Sequence, residues 1–313
     1  PAGGFIINFT ATTSLTNNIV INGSGSTVTA GLQTAGSETD AVFKITGSDY
    51  ITLQNFTIQE NTGNTITSTG AANTMTEWGI ALLRATTTDG ARNNTILNNT
   101  ISLNRAYANS FAVYSNVRHA SGTPSVAVDI NSPAGANINN KVYGNLISNV
   151  NYGIVFVGSG VAGNMDSGND IGGSSTVTGN TLTNWGSSAV NSGAFVSIST
   201  SMWGIYINQQ TGINVSYNSL TSAVGIIATA FRGIFMDFSV AVPTGTFTNS
   251  VTNNSITLNS AGTTGTFECI RSQGMTSLST ATININSNSI IDCVISGISS
   301  ASTMLCIINS SVP

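Results

Sequence analysis

Charged residues are scarce in this 313-residue chain. Only 6% of the residues are Asp, Glu, Lys or Arg, against about 25% in an average globular domain. Eight basic residues are too few for the positive surface that nucleic-acid binding requires, so no nucleic-acid partner is expected. The net charge of -4 is likewise too small to indicate a surface dedicated to cations.

Cysteine and histidine are rarer still. Cys269, Cys293 and Cys306 are an odd number without CxxC spacing, so no closed disulfide set and no cysteine metal site is predicted. Each lies in an apolar run, and we expect each to be a small buried residue. The single histidine, His119, has no acidic residue in its motif and is expected to be an exposed loop residue.

Long apolar runs and good helix formers are also missing. No run reaches the roughly 18 residues of a membrane span, and the nearest, 222–242, contains Arg232 and Asp237. The chain is nevertheless 40% hydrophobic, which is enough for a core. Its polar part is mainly Ser, Thr, Asn and Gly, which suit turns and strands. The sequence therefore predicts a folded protein with almost no helix and no membrane span.

One short pattern recurs along the chain: an apolar residue, two further residues, an Asn, one residue, and Ile or Leu. An early copy has Phe56 in the Asn place, between Leu53 and Ile58. The six later copies are Ile96–Asn99–Ile101, Val142–Asn145–Ile147, Val177–Asn180–Leu182, Val215–Asn218–Leu220, Val251–Asn254–Ile256 and Ile285–Asn288–Ile290. The central residues are 43, 46, 35, 38, 36 and 34 residues apart, and such a period indicates a solenoid.

The spacing within this pattern predicts a bend. Two apolar residues five positions apart face opposite sides of a straight strand. Both point inward only if the chain bends between them, and Asn tolerates the left-handed conformation that tight bends need. We therefore predict that the six asparagines stack in one column and exchange amide hydrogen bonds from coil to coil.

A second pattern, formed by a bulky, a small and an apolar residue, follows each copy of the first. Its copies are Trp78–Gly79–Ile80, Phe111–Ala112–Val113, Tyr152–Gly153–Ile154, Trp203–Gly204–Ile205, Arg232–Gly233–Ile234, Glu268–Cys269–Ile270 and Ser296–Gly297–Ile298. Two extended patterns per repeat predict an all-β fold, a right-handed parallel β-helix (solenoid) of about eight coils. Residues 1–313 would form one domain, with a degenerate first coil over 1–50 and seven regular coils with loop insertions over 51–313.

These patterns resemble the repeat of pectate-lyase-like parallel β-helix proteins. The opening NNIVINGSGSTVTAG, followed by DAVFKITGSDYITLQNFTIQEN, is similar to the first coils of such domains. More narrowly, NNTILNNTISLN, NKVYGNLISNVNYGIVFVGSG and GNTLTNWG resemble the Ser/Thr/Asn-rich β-helix regions of secreted Bacteroidetes surface proteins. The resemblance implies an extracellular or cell-surface protein, often much larger, delivered by the type nine secretion route. The sorting domain expected of that route is not in this sequence.

The repeat serves several functions, so three classes stay open. A structural or adhesive rod, part of a larger bacterial surface or filament protein, is favoured. A carbohydrate-binding module, or a polysaccharide lyase or hydrolase, is the alternative. Glycoside hydrolysis requires paired carboxylates, and most acidic residues here fall on different coils, so no catalytic residue is predicted. An ice-binding surface would require a Thr array that does not recur at one coil position.

Aromatic residues hold the first place of the second pattern on four successive coils: Trp78, Phe111, Tyr152 and Trp203. Such a column is a platform for sugar rings of surface glycans if exposed, and core packing if buried. Because aromatic residues dominate cores, burial is favoured. The exposed alternative would make these four residues the carbohydrate-binding site.

Two polar groups are further candidates. Asp166, Asn169 and Asp170 lie in a Gly-rich segment and could hold Ca²⁺, although solvated turn residues are favoured because the spacing is not that of an EF-hand. Arg232 and Glu268 hold the same position of successive coils, which predicts an ion pair between them. Trp203, one coil earlier, would give Arg232 a cation–π contact on its other side.

The closing segment STMLCIINSSVP predicts a further strand with no cap after it. An uncapped solenoid end exposes a strand edge. We therefore expect that the natural chain continues beyond Pro313 or that copies associate end to end.

Overall fold

Three long parallel sheets dominate the computed structural model of the chain. The structure describes residues 5–7, 14–36, 38–68, 72–117, 130–186, 201–224, 230–241, 243, 245–261, 265–274, 280–296 and 302–310, so His119 lies outside it. Each coil contributes one strand to each sheet in turn, and every strand pairs with its equivalent one coil away. The chain folds as a right-handed parallel β-helix, as the repeat predicted.

The strands are numbered in chain order. Sheet A contains β1 Phe5–Ile7, β4 Ala41–Thr46, β7 Trp78–Leu83, β10 Phe111–Asn116, β13 Tyr152–Val157, β17 Met202–Asn208, β21 Phe231–Asp237, β25 Gly265–Gln273 and β29 Ser302–Ser310. Sheet B contains β2 Ile19–Asn22, β5 Ile51–Gln54, β8 Thr95–Leu97, β11 Lys141–Tyr143, β15 Asp170–Ile171, β19 Asn214–Ser216, β22 Thr248–Thr252 and β26 Thr282–Asn286. Sheet C contains β3 Thr27–Thr29, β6 Thr57–Gln59, β9 Thr100–Ser102, β12 Leu146–Ser148, β16 Thr181–Trp185, β20 Ser219–Ser222, β23 Ser255–Thr257 and β27 Ser289–Ile290.

Short elements complete the described coils. Strand β14 Asp166–Ser167 pairs with β18 Gln210–Thr211, and β24 Asn259–Ser260 pairs with β28 Val294–Ile295. Two single-turn 3₁₀ helices span Pro133–Gly135 and Ala162–Asn164. No helix in the described ranges is long and apolar enough to cross a membrane.

The core is a continuous column of apolar side chains enclosed by the three sheets. Ile96 and Val142 of sheet B, and Ile101 and Ile147 of sheet C, are all buried and in register with their equivalents. The two apolar positions of the first pattern therefore both face inward, on either side of a bend. Because each coil buries its apolar face against its neighbours, the core runs along the solenoid axis.

The bend occurs one residue earlier than predicted. The residue before five of the six ladder asparagines takes the left-handed conformation, with φ of 53° at Asn98, 60° at Tyr217 and 58° at Asn253, for example. Gly179, before Asn180, is the exception. The ladder asparagines are not among the described residues with positive φ. Backbone freedom is therefore needed at the preceding position, and the ladder position requires the amide side chain instead.

One copy of the first pattern was assigned to the wrong apolar residue. Ile171, not Val177, pairs with Val142 and Val215 in sheet B. Val177 is 84% exposed. Residues 172–179 form an insertion between β15 and β16, which lengthens the interval between the strand and its ladder asparagine. The sequence pattern found at 177 is therefore a coincidence inside a loop.

The last copy of the second pattern was also misplaced. Strand β29 follows β25 in sheet A, with Leu305 opposite Glu268 and Ile307 opposite Ile270. The equivalent of Glu268 is therefore Leu305 and not Ser296, while Gly297 and Ile298 lie outside the described residues. The prediction of a strand in the closing segment is confirmed.

The small residue of the second pattern faces the crowded interior. A Cβ atom added to Gly153 would lie 2.3 Å from the carbonyl oxygen of Gly204 and 2.3 Å from Cδ2 of Leu182. A Cβ at Gly233 would lie 2.5 Å from the carbonyl oxygen of Cys269. The small side chain thus lets sheet A approach the side chains that extend from sheet C.

Candidate functional site

The six asparagines of the first pattern form a hydrogen-bonded ladder along the corner between sheets B and C. Its members are Asn99, Asn145, Asn180, Asn218, Asn254 and Asn288. At Asn145, Oδ1 accepts from the backbone N–H of Asn99 at 2.9 Å and from its Nδ2 at 3.1 Å. The Nδ2 of Asn145 donates to the Ile96 carbonyl and to Oδ1 of Asn180, both at 3.0 Å. Each amide therefore satisfies buried backbone groups at the bend of a neighbouring coil.

A second amide ladder, which sequence reasoning missed, runs along the other end of sheet B. The backbone N–H of Asn94 donates to Oδ1 of Asn140 at 3.0 Å, and the N–H of Asn140 donates to Oδ1 of Asn169 at 2.8 Å. The Nδ2 of Asn169 donates to Oε1 of Gln210 at 2.8 Å. The available signal was an Asn five residues before the ladder Asn, as in Asn94–Asn99 and Asn140–Asn145.

The aromatic column Trp78, Phe111, Tyr152 and Trp203 is buried. All four side chains are at most 2% exposed. The rings of Phe111 and Tyr152 stack with centroids 4.4 Å apart, and Trp203 stacks on Tyr206 at 4.1 Å. In this arrangement the column packs against protein atoms, and no open platform for a sugar ring is formed by these four residues.

The charged residues of β21 and β25 in sheet A form a connected network. Glu268 contacts Nε of Arg232 and an outer nitrogen of Arg271. Its side chain is only 1% exposed, against 12% for Arg232 and 24% for Arg271. The cation–π partner of Arg232 is Phe235, whose ring centroid lies 4.4 Å from the guanidinium carbon. Trp203 had been expected in that role, but it faces Tyr206.

The network continues across the strands. Arg271 donates from Nε to Oε1 of Gln273 at 2.9 Å, and Gln273 donates to Oδ1 of Asp237 at 3.2 Å. The hydroxyl of Tyr206 donates to Oδ2 of Asp237 at 3.1 Å. These side chains hold β17, β21 and β25 together from one face of sheet A. Arg271, the most exposed of the four charged residues of the network, offers a donor at its rim.

The residues proposed for calcium occupy separate hydrogen-bonding sites. Asp166 is buried, with Oδ1 accepting from the N–H of Asn137 at 2.9 Å and Oδ2 accepting from Nε2 of Gln210 at 3.1 Å. Asp170 accepts from the Tyr143 hydroxyl at 2.6 Å and from the Asn214 amide at 2.7 Å. A calcium ion would have to displace these hydrogen-bond donors before it could bind the two carboxylates. Calcium binding at these residues stays a prediction.

Two acids, buried Glu77 and half-buried Glu60, organise the described parts of the loop over residues 60–77. Oε1 of Glu77 accepts from the Tyr107 hydroxyl at 2.7 Å and Oε2 accepts from the N–H of Asp40 at 2.8 Å. Burial raises the pKa of Glu77 to about 8, although these hydrogen bonds oppose the rise. Glu60 accepts from the N–H and the hydroxyl of Thr76, both at 2.9 Å.

An open groove adjoins this loop. It has a volume of about 530 Å³ and is lined by Glu60, Asn64, Met75, Leu103 and Asn104, among others. The carboxylate of Glu60 accepts hydrogen bonds from within the loop, including one from Asn64 at 2.8 Å. The carboxylate of Glu60 in this groove therefore already stabilises the conformation of the loop through hydrogen bonds.

Across the residues that the structure describes, no group of three or more His, Cys, Asp or Glu side chains is arranged to hold a metal ion. Comparisons with protein-family models, with curated proteins and with solved structures found no match. The buried polar groups considered above mostly bond to neighbouring coils. These groups therefore link neighbouring coils through hydrogen bonds.

Proposed function

We propose that this chain is an extracellular structural or adhesive β-solenoid, and that it forms part of a larger bacterial cell-surface or filament protein. The observation that carries the proposal is the continuous parallel pairing of sheets B and C, each of eight strands, along a corner joined by six stacked asparagines. A repeated, internally bonded rod is suited to spanning distance. The buried asparagine side chains form hydrogen bonds to groups of neighbouring coils.

The extracellular setting is supported by the resemblance to Ser/Thr/Asn-rich regions of secreted Bacteroidetes surface proteins. The same repeat occurs in pectate-lyase-like enzymes, so a carbohydrate-binding or lyase role stays the alternative. The burial of Trp78, Phe111, Tyr152 and Trp203 leaves that alternative without its predicted platform. It would have to depend on other residues, such as Arg271 at the rim of the charged network.

The partner in this proposal is a further coil, supplied by a second copy or by the rest of a longer chain. Strand β29 pairs with β25 on one edge and, within the described part of the chain, is the last strand of sheet A. Its side chains Leu305 and Ile307 are 37% and 52% exposed. An unpaired strand edge with apolar side chains favours strand addition.

Sedimentation and electron microscopy over a concentration series test this proposal. We expect concentration-dependent association into longer rods, and Ile307→Lys should weaken it by placing a charge on the edge strand. Val177→Lys is the matched control, because it adds the same charge to an exposed loop on the side of a coil. A wild-type chain that stays monomeric at the highest attainable concentration would contradict the proposal.

A glycan-array screen separates the two functional classes. The structural proposal expects no saturable binding to purified glycans. Saturable binding that Arg271→Ala abolishes, while the variant stays folded at the assay temperature, would instead support the carbohydrate-binding alternative.

A further inference from the structure

The three cysteines converge at the C-terminal end of the solenoid, although they are far apart in sequence. The Sγ atoms of Cys269 in β25 and Cys293, between β27 and β28, lie 3.9 Å apart. Cys306 of β29 is the sheet neighbour of Cys269, because the flanking pairs Glu268–Leu305 and Ile270–Ile307 are in register. Cys269 is buried as expected, whereas Cys293 is only half-buried and Cys306 is exposed, so the expectation of burial was wrong for Cys306.

We propose that Cys269 and Cys293 are a disulfide-forming pair, and that the bond ties the last coils of the solenoid together. Two thiol sulfurs at 3.9 Å are already in contact, and a bond of about 2.05 Å requires only a local approach of the two side chains. Cys293 follows the two-residue strand β27 Ser289–Ile290, so little regular structure opposes that approach. Such a bond would persist in the oxidising surroundings expected outside the cell.

The environment of the two thiols assigns each a role. The N–H of Leu258 donates to Sγ of Cys293 at 3.2 Å, and the thiols of Cys269 and Cys293 share a hydrogen bond in which either can be the donor. These donors lower the pKa of Cys293, while the same thiol contact and burial raise the pKa of Cys269. Cys293 is also the more accessible of the two. Of these two sulfurs, that of Cys293 is therefore the one that reacts first with an external oxidant.

The oxidant in this proposal is a small-molecule disulfide. The Cys293 thiolate attacks one sulfur of that disulfide, which breaks its S–S bond, releases one thiol and leaves a mixed disulfide on Cys293. Cys269 then loses its proton and attacks the Cys293 sulfur, so the internal S–S bond forms and the second thiol leaves. Two protein thiols are oxidised and one external disulfide is reduced to two thiols.

The position of the pair gives the bond a structural consequence. Up to β25 the core is enclosed, with Phe267, Cys269 and Ile270 fully buried. The following coil is only partly covered, since Ile285 and Ile290 are half-buried. A bond from Cys269 to Cys293 would fasten this exposed coil to the enclosed core. The bond would form by the same chemistry whether or not the chain is a structural rod.

Thiol counting with peptide mapping tests the pair in the wild-type chain. The protein is incubated with oxidised glutathione and an excess of reduced glutathione, which removes a mixed disulfide from exposed Cys306, and is then denatured in acid, alkylated and weighed intact. We expect one alkylated cysteine, Cys306. Trypsin cuts after Arg271, and cyanogen bromide cuts after Met304 and so separates Cys293 from Cys306. The linked peptides should be 237–271 and 276–304.

Two serine variants serve as matched controls. Cys306→Ser should have no alkylated cysteine after oxidation, and Cys293→Ser should have two. In the wild-type chain, oxidation should also slow hydrogen exchange in β26 by about tenfold or more, since a cross-link restrains the opened chain. Three alkylated cysteines in the oxidised wild-type chain, or a peptide linked through Cys306 to Cys269, would overturn the proposal. Rod association, measured separately, does not enter these outcomes.

Discussion

Arg232 on β21 and Glu268 on β25 lie opposite each other, and the carboxylate of Glu268 is almost fully buried. A second guanidinium, that of Arg271, contacts the same carboxylate. Glu268 thus carries one negative charge between two positive ones in a chain that is nearly without charge. Removal of any one of these three side chains therefore leaves the remaining charges of the network unbalanced.

The first prediction concerns this network. Glu268→Ala should lower the free energy of unfolding by about 3–5 kcal/mol, because it leaves two arginines without their acceptor. Arg232→Ala should cost less, since Arg271 still contacts the carboxylate. In a denaturant-melting double-mutant cycle the two changes should be coupled by about 1–3 kcal/mol. Strictly additive losses would show that the two side chains do not interact.

The second prediction concerns the asparagine ladder. Asn145→Ala should destabilise the protein by about 2–4 kcal/mol, because the buried N–H and amide of Asn99 lose their acceptor. Asn286→Ala, on an exposed strand position, is the control and should change stability by less than about 0.5 kcal/mol. Equal melting curves for the two variants would contradict a stabilising ladder.

The third prediction concerns the small residue of sheet A. Gly153→Ala should destabilise by about 1–3 kcal/mol, because its Cβ would overlap the Gly204 carbonyl oxygen and a methyl group of Leu182. Gly163→Ala is the matched control, since nothing lies within 4 Å of the Cβ that it adds. Thermal melting measures both, and a loss at Gly163 that equals the loss at Gly153 would contradict the crowding argument.

The fourth prediction concerns pH. The folded chain holds the pKa of Glu77 at about 8, above the ordinary value of 4.5, so the folded state binds the proton more tightly than the unfolded state. The contribution of Glu77 to stability is therefore fully present below pH 4.5 and is lost as pH rises to about 8. The loss is at most about 5 kcal/mol.

Glu77→Gln tests this dependence, because Gln does not ionise in that range. The Tyr107 hydroxyl, the Asn73 amide and the backbone N–H of Asp40 donate hydrogen bonds to Glu77, and all three are retained in the variant. The charged groups of Asp40 and Lys44, which also act on Glu77, are unchanged. Melting at intervals between pH 4 and 9 should show a steeper decline for the wild-type chain than for Glu77→Gln. Parallel profiles would exclude Glu77 as the source.

The ladder asparagines show what could be predicted from the sequence. Asn99 and Asn145 recur at a coil period with apolar residues at fixed offsets, and both the fold and the column of amides follow from that regularity. The second ladder escaped notice because only some coils keep an Asn there. The position of Asn169 is held by Ile213 on the next coil. Asn249 occupies it one coil later, where its Oδ1 accepts from the N–H of Ile213 at 3.1 Å, and Ile283 occupies it on the coil after that.

Where the period breaks, the prediction failed. An insertion placed Val177 at the expected distance before Asn180, and only the pairing of strands identifies Ile171 instead. The contact between Cys269 and Cys293 could not be predicted either. It joins two faces of the solenoid, and the distance between faces depends on how each corner turns.

The insertion at residues 172–179 leaves the coils on both sides in register. Ile171 still stacks between Val142 and Val215, and Leu182 still stacks between Ile147 and Leu220. A loop can therefore change its length and chemistry while the strands beneath it keep their pairing. By the same logic, duplication of one repeat in the gene would lengthen the rod by one strand spacing, about 4.8 Å. The length of the rod can therefore change during evolution in fixed steps, independently of the surface that the loops present.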